Sequence, residues 1–84
     1  MKLNVFDTHV RTGDGRYLHF DVLTAGDDQA HAARIAQDWL ASRGVSETQV
    51  TQSQCLFCHS EVATAGMAEA VGRQGYCIIP LQGC

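Results

Sequence analysis

Lys2-Leu3-Asn4-Val5-Phe6-Asp7-Thr8-His9-Val10 and Arg16-Tyr17-Leu18-His19-Phe20-Asp21-Val22-Leu23-Thr24, joined through Arg11-Thr12-Gly13-Asp14-Gly15, decide the fold. Each run is rich in β-branched and aromatic residues and free of Gly and Pro, the composition of a strand. Asp-Gly supplies the positive φ that tight hairpin turns require. The chain is therefore expected to open with two antiparallel strands, 2–10 and 16–24. Loop length sets which side chains share a face, because a slip of one residue moves a whole set to the other side. A two- or four-residue loop places Thr8, His19 and Asp21 with Phe6, Val10 and Leu23. A three-residue loop instead places Asp7 and His9 with His19 and Asp21. Asp14-Gly15 read as a two-residue turn favours the first register.

Outward from the hairpin, Gly26-Asp27-Asp28 breaks the strand and offers an N-cap, with acidic charge at the positive end of a helix. Ala32, Ile35, Ala36, Trp39 and Leu40 fall at i, i+3, i+4, i+7 and i+8, one apolar stripe of a helix over 29–43 that Gly44 ends. Residues 47–54 read as a short third strand at a sheet edge. Thr64 caps a second helix, 65–74, ended by Gly75, with Met67, Ala70 and Val71 inward. Residues 76–81 form a last apolar strand, and Pro80 confines it to an edge or a strand end. The order is ββαβαβ: one α+β domain over 1–84, a four-stranded sheet with two helices packed on one face.

At 84 residues such a domain buries only about 60–65% of its unfolded surface, so a metal, a disulfide or a partner subunit would add stability. The net charge of −3, with six scattered Lys and Arg residues, argues against a nucleic-acid footprint, which needs clustered cations. It argues against an anionic membrane surface as well. No apolar run is long enough for a membrane span. Asp7 interrupts the start before a signal sequence develops, so a cytoplasmic location is expected.

Cys55-Leu56-Phe57-Cys58-His59-Ser60-Glu61 concentrates two of the four cysteines and one of the four histidines. Cys-x-x-Cys is half of a tetrahedral zinc site, with the missing ligands to come from His59, from Cys84 or from His19. The same letters spell the c-type haem attachment motif. That reaction belongs to exported proteins, and no haem is expected. A thiol–disulfide pair between a strand and a helix is a further reading, although the second helix begins too far from Cys55 to lower its pKa. Cys77 reads as a core residue. A second constellation, His19, Phe20 and Asp21 with Asp7 and Thr8, can serve acid–base work or hold a metal, or be a cross-strand hydrogen-bonded set. His9 and His31 read as surface residues.

Val5-Phe6-Asp7-Thr8, His19-Phe20-Asp21-Val22, Trp39-Leu40, Val50-Thr51, Cys55-Leu56-Phe57-Cys58-His59-Ser60, Gly75-Tyr76 and Gly83-Cys84 together resemble the bacterial Domain of Unknown Function 2024 family along essentially the whole chain. The resemblance implies a small α+β fold and no particular activity. It places Cys55, Cys58, His59 and Cys84 on the family's pattern, a Cys₃His set. It puts Cys77 where an aromatic residue is expected and His9 where the family often carries Tyr. The leading expectation is thus a non-enzymatic structural or regulatory zinc site at Cys55, Cys58, His59 and Cys84. The alternatives are a thiol redox protein, with Cys58 or Cys55 as attacking thiolate and Cys84 or the other of the pair as resolver, and an interaction module that forms a homodimer through an edge strand.

Overall fold

A computed structural model describes residues 1–83. Strands β1 (Lys2–Thr12) and β2 (Tyr17–Thr24) precede helix α1 (Gln29–Ser42). After a 3₁₀ turn at Glu47–Gln49 come β3 (Val50–Val62), helix α2 (Ala65–Gln74) and β4 (Cys77–Gln82). The strands form one antiparallel sheet in the order β3-β1-β2-β4. The α+β class, the four-stranded sheet and the ββαβαβ order are as the sequence predicts; the two helices, expected on one face, pack against different sets of strand side chains.

The hairpin takes the other of the two registers. Asp7 pairs with Asp21 and His9 with His19. The cause is the loop. Thr12 N–H donates to Arg16 O at 3.0 Å and Gly15 N–H to Thr12 O at 3.1 Å, which leaves Gly13-Asp14-Gly15 as a three-residue connection. Gly15 takes the left-handed position, at φ 89°, as three-residue hairpins require. The Thr12 hydroxyl bonds the Asp14 carboxylate and accepts the Arg16 N–H, and Arg16 Nε lies 3.1 Å from Asp14 Oδ2. Asp14 thus serves the loop as an acceptor, and Gly15 alone supplies the positive φ.

Strand alternation then splits the side chains of β1 and β2 into two sets. Even-numbered Phe6, Val10, Leu18, Phe20 and Val22 join Ala32, Ile35, Ala36 and Leu40 of α1 in the larger core. Phe20 is fully buried, its ring centroid 4.7 Å from that of Trp39. Burial of a side chain this size contributes about 1.5–3 kcal/mol. Odd-numbered Leu3, Val5 and Leu23 form a smaller cluster with Met67 and Val71 of α2 and Cys77 and Ile79 of β4. Cys77 is therefore part of a core, as expected. The helices divide the sheet: α1 covers the even-position face, and α2 covers only the Leu3/Val5/Leu23 end of the odd-position face.

The helix caps follow the sequence. Asp28 accepts from Ala30 N–H and His31 N–H, and Thr64 accepts from Met67 N–H. The third strand does not follow it. β3 runs on through the cysteine segment to Val62, because β1 supplies a ladder from Thr12↔Val50 to Lys2↔Val62 that is interrupted only by register shifts at Thr51 and Cys58. Phe6 pairs with Phe57 and Val5 with His59, so Cys58 is the extra residue of a bulge.

Candidate metal centre

Extension of β3 takes the Cys-x-x-Cys-His segment apart. Three residues of extended chain span roughly 10 Å, where a chelating pair needs a tight turn. Cys55 pairs with Thr8 on the even-position face. It packs against the larger core and accepts a hydrogen bond from Thr8 Oγ1 at 3.3 Å. Burial pushes its thiol pKa up, the Thr8 hydroxyl offsets this in part, and the nearby Asp7 charge adds to the rise. Cys58 sits exposed in the bulge. His59 pairs with Val5, and its Nε2 lies 3.5 Å from Glu61 Oε2. Cys55, Cys58 and Cys77 are free thiols, and no group of metal ligands among the described residues includes any of them. Cys84, the fourth expected ligand, lies outside the described residues. The Cys-x-x-Cys-His zinc site is corrected by this geometry, and so is a redox pair of Cys55 with Cys58. The motif is a strand segment whose members face different ways.

The group that does converge is Asp7, His9 and His19, with one ligand atom from each lying within 4.8 Å of the others. The hairpin builds it. Asp7 and His9 are successive odd positions of β1, and His19 stands opposite His9 on β2. The two imidazoles stack with centroids 4.2 Å apart and 13° between their planes. His9 Nε2–H donates to Asp7 Oδ2 at 2.8 Å, and His19 Nε2–H donates to Asp7 Oδ1 at 2.5 Å. Tyr17, one further odd position along β2, bonds His9 Nδ1 through its hydroxyl. Arg11 lies over the Tyr17 ring at 4.9 Å.

The ligand side chains are a quarter to a third exposed, at 25% for His19, 34% for His9 and 37% for Asp7. They are reachable from solvent yet held by neighbours. Burial pushes the Asp7 carboxyl pKa up, but the hydrogen bonds and charge of His19 and His9 outweigh it and hold it below the usual value. Burial and the Asp7 charge raise the Asp21 pKa against the opposing pull of His19 and His59. The uncovered end of the odd-position face is thus dense in groups that hold protons or cations. At the far side of Tyr17, Gly83 has φ 73°, and a Cβ there would lie 2.1 Å from Tyr17 O. Only glycine lets the end of the chain pass so close to the strand carrying Tyr17 and His19.

Two imidazoles and one carboxylate are the donor set of open-sided zinc and non-haem iron centres. Both histidines present Nε2 to the same carboxylate, one to each oxygen, and Tyr17 fixes the ring of His9 from behind, as outer-shell partners do. Sequence reasoning included Asp7 and His19 in a constellation but read His9 as a surface residue and gave Tyr17 no part. The available signal was the alternation Asp7-x-His9 against Tyr17-x-His19-x-Asp21, taken with a three-residue loop.

Residues 1–81 match the family described as Domain of unknown function (DUF2024), and the chain belongs to that family. Its fold is shared with the NMR structure of protein NE1680 from Nitrosomonas europaea, which is 42% identical. That match covers 100% of this chain and 99% of the other, with a TM-score of 0.86. No curated protein matches the chain. No helix among the described residues is long and apolar enough to cross a membrane.

Proposed function

We propose that Asp7, His9 and His19 bind one divalent transition-metal ion, zinc being the first candidate. The observation that carries this reading is the convergence of two Nε2 atoms on the two oxygens of one carboxylate, on a sheet face that α2 leaves uncovered. A cation there replaces the two Nε2–H···O contacts with ligand bonds and leaves the strand geometry as it is. Three protein ligands on an open face leave a coordination position for a small molecule, and a zinc ion held in this way supplies Lewis acidity. Binding requires neutral imidazoles and an ionised carboxylate, so affinity falls as pH drops.

Calorimetric titration of untagged, metal-free protein with Zn²⁺ tests the reading. One site per chain is expected, lost in Asp7→Asn, His9→Ala and His19→Ala and retained in the Cys55→Ser/Cys58→Ser double variant. Tyr17→Phe, which keeps the ring and removes the hydroxyl, is expected to weaken binding about 10–100-fold. Zinc binding that survives His19→Ala and disappears with the cysteines would refute the assignment. In that case Asp7, His9 and His19 are a hydrogen-bonded cross-strand set.

A further inference from the structure

We propose that a second copy of this chain pairs along the outer edge of β3, joining the two sheets across a two-fold axis and setting the two α1 helices side by side. β3 is one of the two edges of the sheet and spans thirteen residues. It contains no Lys, Arg or Pro, the residues that usually keep an edge from pairing with another chain. The opposite edge, β4, is six residues long and carries Pro80. Gln52–Phe57 is wholly uncharged and free of register shifts against β1, and the bulge at Cys58 marks its end. Leu56 and Phe57 are about half exposed there.

The helix beside this edge identifies the occupant. An open groove separates α1 from β3; buried Ala36 and Leu40 line its floor, and the exposed residues on its helix side include Ala30, Ala33, Arg34, Gln37, Asp38 and Ala41. Small residues allow close approach, and the two charges of opposite sign sit four residues apart. A two-fold axis runs the helices antiparallel and places Arg34 beside the partner's Asp38, and Asp38 beside the partner's Arg34. One axis serves both elements. Phe57 N–H donates to Gln29 Oε1 at the start of α1, while Val45 and Val50 lie at the other end of the same groove. The helix therefore runs along β3, with the Arg34/Asp38 pair over the middle of Gln52–Phe57. Edge, flank and charge pattern are all self-complementary, which a chemically different partner would not need. The metal ligands lie on the odd-position face, away from α1, so the dimer and the metal site fail or stand independently.

Sedimentation equilibrium of the full chain tests the proposal. The expected species has twice the 9.1 kDa chain mass. Arg34→Asp and Asp38→Arg, both at exposed positions, each place like charges together and are expected to weaken association about tenfold or more. The double exchange restores opposite charges across the axis and recovers association. Circular dichroism confirms that each variant stays folded. A monomer at every accessible concentration overturns the proposal. So does a dimer indifferent to Arg34→Asp, or a double exchange that recovers nothing.

Discussion

His9 is held at both ends of its ring, by Asp7 on Nε2 and by Tyr17 on Nδ1. A histidine so fixed loses little freedom when it takes a ligand, which separates it from His31 on the exposed side of α1. Residue types alone do not make that distinction. The cysteines show the same limit from the other side. Spacing in the sequence suggests that Cys55 and Cys58 converge, yet a thiol's role depends on which way its strand turns it. Cys55 is half-buried with a raised pKa, Cys77 is partly buried with its thiol pushed up by burial, and Cys58 is exposed. Alkylation follows thiolate and access. Iodoacetamide with peptide mapping is therefore expected to modify Cys58 before Cys55 and Cys77. Faster labelling of Cys55 would contradict the geometry of β3.

At the scale of elements, α1 and α2 are legible because each carries its own instructions. The stripe from Ala32 to Leu40, the Asp28 and Thr64 caps and the Gly75 terminator are local signals. The reach of β3 is not local. It depends on the length of β1, and nothing in Cys55–Glu61 announces a ladder partner fifty residues earlier. The hairpin is intermediate: two strands are plain in the sequence, but their register hangs on one loop residue. Gly15→Ala forces a Cβ into the left-handed region at φ 89° and is expected to cost about 1–2 kcal/mol, measured by urea denaturation. Because Asp7 and His9 meet His19 only in this register, the same variant should also weaken zinc binding. Asp14 adds a pH signature. Its hydrogen bonds from Thr12 and Arg16 hold its pKa below the ordinary aspartate value of 3.8. A depressed folded pKa gives stability that is fully present above 3.8 and is lost as pH falls through the folded value. Asp14→Asn should thus lower stability at neutral pH and flatten the acid limb of the stability profile. An unchanged acid limb would show that the loop does not use the charge.

For the molecule as a whole, the sheet sets the distribution of function. Adjacent apolar residues, Val5 with Phe6 and Val22 with Leu23, put apolar side chains on both faces. One face is closed by α1. The other is closed by α2 only at one end, and the remainder holds Asp7, His9, Tyr17, His19 and Asp21. The sequence reveals the class and the order of elements, because burial patterns dictate them. It does not reveal the site, which arises from two strands brought into one register. Nitrogen-15 NMR of the histidine side chains during zinc titration tests this most directly. The account predicts that the Nε2 resonances of His9 and His19 move to metal-bound values at one equivalent while His31 and His59 stay put. Movement of His59 with loss of free thiols, or no movement at His19, would contradict it.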